Sequence, residues 1–469
     1  MSQDTAASPW IGRPAAAIAA AVRAGEASAA DVVRAHLGRI AELGPALTAF
    51  RRVRADEAVA EAEAVDARAD RAELPLAGVP VAIKDNTAVA GEQTRNGTAA
   101  SSEEPNAADH PLVERLRAAG AVVVGLTNVP ELCLVPMADS AFGIARNPWD
   151  PSRTPGGSSG GSAAAVSAAL VPLAHGNDGL GSIRIPCACC GLVGIKPGRG
   201  VVPHAPDEDD WFGLTEHGPL ATTVQDAALG LAVMAADPGL AELGDPGTVR
   251  IGVTIRTVSP GFSIAPQYRT AAVDAGALFE KLGHTVTRHT ARYPAWLGPA
   301  TMSTWYTSAN ESAEGLDRAR LDRRTRRMAA VGGTLNQLHA TGARGRERWR
   351  EGGAERFIGE GVDVLLMPAL SQPAAEAKRW GDYGALRTTV ASTRKASLFG
   401  TWNVAGWPAL ALPVGVDAAG MPVAVQLVAR PGGEKRLLEL AAQFEQARPW
   451  RRHAPRYAVP GEGAPESGS

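Results

Sequence analysis

Apolar residues recur every three to four positions through the first part of the chain, then give way to short continuous apolar runs. Residues 12–72 follow the first rhythm and read as helices. In AADVVRAHLGRIAEL, Val32, Val33, Leu37 and Ile40 fall on one face; Ser28 precedes them, and Asp31 three residues on suggests a capping box. A second helix is predicted over about 54–70, with Ala58, Val59, Ala62 and Val65 on one side. Beyond it, LAGVPVAIKDN predicts a short buried strand, PLVERLRAAG a helix and AVVVGLTN a strand. GSAAAVSAAL and VPLAHG repeat the helix-then-strand order. A helix over 222–236 and strands over 249–255, 362–370 and 421–429 follow. This alternation predicts an α/β fold: a large sheet with helices on both faces.

Two segments depart from the rhythm. Residues 300–360 are charged, arginine-rich and helical in pattern, with Trp305, Tyr306 and Trp349. They predict a helical insert that either lines a substrate entrance or simply packs beside the sheet. From about 455 the chain is rich in Pro, Gly and Ser and predicts a frayed tail. No internal repeat is found. The chain of 469 residues is long enough for one large core, and a single domain over 1–469 is expected, with the chemistry in 73–255.

Composition narrows the function classes. A net charge of −2 gives no reason to expect nucleic acid or an acidic membrane as partner. MSQDTAASPW lacks the basic and apolar regions of a signal peptide, and no apolar run reaches the roughly 18 residues of a membrane span. A cytoplasmic location is expected. Cys187, Cys189 and Cys190 crowd into PCACC, too tightly for a usual zinc site, so these and Cys133 read as buried free thiols. No metal or other cofactor is expected.

Three stretches carry candidate chemistry. Lys84 ends the apolar run VPVAIK, where burial would lower its pKa and supply a base; a surface lysine at a strand end is the plainer reading. TPGGSSGGSAAAV sets two serines between glycine pairs and runs directly into a helix, unlike a flexible linker. Its Gly157–Gly161 portion also fits G-x-S-x-G, but that elbow needs a strand before the serine, and NPWDPSRTP reads as loop. GNDGLGSIR places Ser182 just past the strand VPLAHG, where ligands bind in open α/β sheets. Backbone N–H groups of Gly179, Leu180, Gly181 and Ser182 could face an oxyanion there. The glycine spacing matches no phosphate-binding fingerprint. His175 reads as structural, and His204 and His217 read as loop residues without an acidic partner, which weakens a Ser-His-Asp triad.

Taken in order, GVPVAIKDN, TPGGSSGGSAAAV, GSIRIP and CCGLVGIKPGRG resemble the successive motifs of the amidase signature family, and AGWPALALPVGVDAAGMPVAVQLVAR resembles its C-terminal segment. The likeness runs from about residue 15 to 450. GNDGLGSIRIP with CCGLVGIKP is similar to the subgroup that includes 6-aminohexanoate cyclic-dimer hydrolase. The resemblance implies the amidase signature fold, a large central mixed β-sheet flanked by helices. It implies hydrolysis of a small-molecule amide without a cofactor, through Lys84, Ser158 after a cis peptide, and the nucleophile Ser182. Ser159 would support that network. Acyl transfer to another nucleophile, or a role like that of the glutamyl-tRNA amidotransferase catalytic subunit within a complex, are the alternatives. A homodimer is compatible with either. Two positions depart from the family pattern: Leu180 in the glycine loop, and Leu126 in GLTN where GKTN is common. Pocket walls are expected from 130–145, 200–215, 300–350 and 375–400, where Trp211, Phe212, Trp305 and Trp380 hint at an apolar or aromatic acyl group.

Overall fold

Strand pairing sorts the apolar runs into one mixed sheet. The computed structural model describes residues 8–206, 208, 211–259 and 261–459. In chain order the strands are β1 Phe50–Val53, β2 Pro80–Lys84, β3 Val122–Thr127, β4 Asp139–Ser140, β5 Gly143–Ile144, β6 Leu173–Asp178 and β7 Val193–Lys196. They continue with β8 Glu216–Ala221, β9 Arg250–Val253, β10 Thr285–Arg288, β11 Val364–Pro368, β12 Ala409–Val416 and β13 Pro422–Ala429. β4 and β5 form a separate hairpin; the other eleven make one sheet in the order β1-β3-β2-β6-β8-β7-β12-β13-β11-β9-β10. β2 runs parallel to β3 and β6, whereas β8 is antiparallel to both β6 and β7.

β2, β3, β6, β11 and β13 are buried along their whole length. Helices cover both faces, so β2, β3, β11 and β13 read as largely continuous apolar runs rather than as alternation, while β6 turns polar toward its end, LAHGND. The helix Ala29–Leu47 begins as expected: Ser28 Oγ accepts the Asp31 N–H at 3.0 Å, and Val32, Val33 and Ile40 are buried. Among the described residues, no helix is long and apolar enough to cross a membrane.

Several elements correct the sequence expectations. The stretch 12–72 holds the edge strand β1 between its helices, antiparallel to β3. FRRV carries too little apolar signal to show; pairing with β3 makes it a strand. β8 reads EHGPLA, poor in β-formers, and is imposed by neighbours on both sides. The segment 300–360 is helical, and Trp349 is buried in a ring cluster with Trp402, Phe357 and Trp296. The tail does not fray at 455. Arg39 Nη2 donates to the Tyr457 carbonyl at 2.7 Å, and Val459 packs with Ile11 and Ala169. Residues 460–469 of that expectation lie outside the described residues.

Candidate active site

Parallel pairing of β2 with β6 brings Lys84 beside Asn177 and Asp178, and the serine pair is delivered from the loop before the helix Gly160–Ser167. Lys84 is fully buried. Its Nζ lies 2.7 Å from Ser158 Oγ and 3.2 Å from the Asn177 carbonyl, and it also contacts Asn177 Oδ1. Among the described residues, no carboxylate pairs with it. Burial therefore pushes the ammonium below its ordinary pKa. The three contacts suit a neutral amine. Two N–H groups can serve the two Asn177 oxygens, and the lone pair can accept the Ser158 hydroxyl proton.

The peptide between Gly157 and Ser158 is cis. Ser159 N–H donates to the Ser182 carbonyl at 3.2 Å, and its Oγ donates to the Asn177 carbonyl at 3.3 Å. Loop, not strand, precedes this pair, so the elbow geometry is absent.

The loop after β6 is shaped by Asp178. Its carboxylate accepts the Gly181 N–H at 2.5 Å and the Ile183 N–H at 3.2 Å. Gly181 sits at φ 121°, and a side chain there would strike Phe399 and Ile185. With Gly181 committed, Gly179, Leu180 and Ser182 keep N–H groups that bond no described residue. Ser182 Oγ likewise has no hydrogen-bond partner among the described residues and faces open space. Arg184 locks the arrangement: Nε reaches Asp178 Oδ2 at 2.8 Å, and Nη2 reaches Asn403 Oδ1 at 2.6 Å. Burial would raise the Asp178 pKa, but the Arg184 guanidinium outweighs it and holds the carboxyl well below the usual range.

Two cavities meet at Ser182. One is mainly apolar and lined by Leu134, Leu180, Ile185, Met302 and Trp305 among others. The second is polar and lined by Asn86, Asn96, Ser158, Asn177, Glu208 and Thr215. Cys133, Ser182 and Trp211 line both. Trp211 and Trp305 are thus wall residues as expected, whereas Trp380 lines neither cavity and Phe212 lies under the Arg346 guanidinium. Leu126 is buried in β3, opposite Arg52 and Ile83. Cys187, Cys189 and Cys190 are buried free thiols.

Two features were missed from the sequence. Cys133 reaches the site through a turn in which Leu132 and Cys133 both take positive φ, for which nothing in ELCLVP gives a signal. The second is Glu208, which corrects the reading of His204 and His217 as unpartnered loop residues. Its carboxylate accepts from His110 Nε2 at 2.9 Å, His204 Nδ1 at 3.2 Å and His217 Nε2 at 2.9 Å. His217 lies in β8, and its Nδ1 meets His175 Nε2 at 2.9 Å. Ligand atoms of His110, Glu208 and His217 lie within 4.8 Å of one another, close enough for a metal ion. Hydrogen-bond directions argue otherwise. His110 Nδ1 accepts the Leu112 N–H, and His175 Nδ1 accepts the Lys84 N–H. The His175 Nδ1 is thereby an acceptor, which puts its proton on Nε2 and, across the 2.9 Å contact, the His217 proton on the Nε2 that faces Glu208. The Ala205 N–H lies between His110 Nε2 at 3.2 Å and Glu208 Oε2 at 3.3 Å. A metal would need the His217 lone pair. Hydrogen bonds to Glu208 and then Glu216 push His204 up to about 10, so an imidazolium balances the carboxylate.

Known proteins resemble the chain over most of its length. The sequence profile described as Amidase matches residues 31–438. The chain belongs to the amidase family. It is 41% identical over 451 residues to the putative amidase AmiB2 of Mycobacterium tuberculosis, covering 94% of this amidase and 97% of that protein. It is 34% identical to the 6-aminohexanoate-cyclic-dimer hydrolase of Paenarthrobacter ureafaciens, over 95% of this chain and 96% of that one. The solved structure of 6-aminohexanoate cyclic dimer hydrolase superposes with a TM-score of 0.82 at 30% identity, covering 97% of this chain and 100% of that one. The amidase is thus a hydrolase of carbon–nitrogen bonds, built on the mixed sheet flanked by helices that the sequence predicted.

Proposed function

We propose that this amidase cleaves a small-molecule amide through an acyl-enzyme on Ser182. Lys84 is the base and Ser158 the relay between them. Neutral Lys84 takes the Ser158 hydroxyl proton, Ser158 takes the proton of Ser182, and Ser182 Oγ attacks the carbonyl carbon. The oxyanion is held by the N–H groups of Gly179, Leu180 and Ser182, while Gly181 stays on Asp178 and fixes the loop. The relay then runs backward. The proton reaches the leaving nitrogen as the C–N bond breaks, and water repeats the sequence on the ester. Ser159 holds the Ser182 carbonyl and the Asn177 carbonyl in register.

The observation that carries this reading is the 2.7 Å contact between Ser158 Oγ and a buried lysine without a carboxylate. Ser182→Ala should abolish turnover, and a serine-directed fluorophosphonate should label the wild type but not that variant. Labelling that persists in Ser182→Ala and vanishes in Ser159→Ala would overturn the assignment.

A further inference from the structure

The proton path distinguishes the two cavities, an inference that rests on the Ser182–Ser158–Lys84 reading above. The proton that releases the amine arrives from Ser158, so the leaving nitrogen must lie beside that hydroxyl. Ser158 lines the polar cavity and not the apolar one; Leu180 and Ile185 line the apolar cavity and not the polar one. Ser182 lines both. With the carbonyl carbon at Ser182, the nitrogen points into the polar cavity and the acyl chain into the apolar cavity. We propose that this amidase takes amides of uncharged hydrocarbon acyl groups with a small polar amine, and that Leu180 sets the size limit of the acyl group.

The walls support each half. Among the described residues, no Asp, Glu, Lys, Arg or His lines the apolar cavity, so a charge on the acyl group would lose its hydration without a partner. Asn86 lines the polar cavity, and its Oδ1 is buried with no hydrogen-bond partner among the described residues. Leu180 interrupts the glycine loop, and its side chain lies over the start of the helix Gly400–Ala405. A Cβ added at Gly400 would stand 3.0 Å from Leu180 Cδ2 and 3.3 Å from Thr301 Cγ2. Leucine fits here because position 400 is glycine. The pair forms one wall of the acyl cavity, and a larger residue at 400 pushes Leu180 inward.

The test uses two primary-amide series, one varying acyl bulk and one placing a carboxylate at the far end of the acyl chain. A third series varies the amine of an acetamide. The readout is the ratio of kcat/KM for a bulky against a small member. Leu180→Ala should raise the acyl-bulk ratio about tenfold, the order expected for a few methylene contacts. Gly400→Ala should lower it, and the double variant L180A/G400A should return it toward wild type. The amine series should not shift in any of the three. A shift confined to the amine series, or carboxylate-tipped acyl groups turned over as well as their uncharged isosteres, would overturn the proposal. Mass spectrometry of the trapped intermediate separates the two layers. An acyl adduct on Ser182 with an unmoved acyl ratio sinks the cavity assignment alone; no adduct on Ser182 sinks the catalytic reading beneath it.

Discussion

Asn177 and Asp178 are neighbours in β6, their side chains directed to opposite faces, and each receives a buried cationic side chain. Asn177 meets Lys84 with a neutral amide. Asp178 meets Arg184 with a carboxylate, supported by Asn403. Arg184 stays charged, satisfied and rigid, and it holds the loop in shape. Lys84 is denied a counter-ion, and burial drives it toward the neutral base. One strand end therefore treats two buried cations in opposite ways, and the chemistry follows from which one is left unpaired.

Substitutions can break this contrast from either side. The largest effect is expected from Lys84→Met, which removes the base. kcat/KM should fall by about 10²–10⁴-fold or more, while the loss of stability in thermal unfolding should stay at about 1–3 kcal/mol, the cost of the hydrogen bonds taken from Ser158 and Asn177 with no ion pair broken. Next comes Asp178→Asn, which leaves the Arg184 charge buried without its counter-ion. It should cost about 3–5 kcal/mol, read by chemical denaturation, with activity lost through the loop.

The subtlest change is Asn177→Asp, which gives Lys84 the partner it lacks. In the wild type, burial places the folded-state pKa below the unfolded value. The unfolded chain therefore holds the proton across the window between the two, so stability should rise with pH there, while the rate should rise through the folded-state pKa at the lower edge of that window and then level off. A carboxylate at 177 should move the rising, acid-side limb of kcat/KM upward by about 1–3 pH units, the usual size of a close opposite charge. A wild-type rate that falls through neutral pH with the fold intact would contradict the role of Lys84.

The parts of the site legible in the sequence are those whose neighbours along the chain define them. Lys84 ends an apolar run, Ser158 and Ser159 sit between glycines, and Ser182 follows a strand. Asp178 and Arg184 lie only six residues apart, yet their pairing depends on the fold of the loop between them, which has no local signal. Glu208 was illegible for another reason: its partners come from the start of one helix, a loop and β8, which only the tertiary fold assembles. The same holds for β1 and β8, whose weak local propensity is overridden by the strands beside them. Leu180 stood out in the sequence as a misfit, and its answer lay at Gly400, 220 residues away.

The glycines before the helix Gly160–Ser167 carry a practical lesson. A Cβ at Gly157 would come within 2.5 Å of the Met137 carbonyl oxygen, and one at Gly160 within 2.7 Å of the Ala138 side chain. These contacts are with backbone and with the stub of a short side chain, neither of which can swing aside. Any residue larger than glycine there would displace Ser158 itself. An engineer seeking new substrates gains nothing from diversifying that loop. Thr301 and Met302 line the acyl cavity away from that loop, and a library built at 301 and 302 leaves the catalytic clearance untouched.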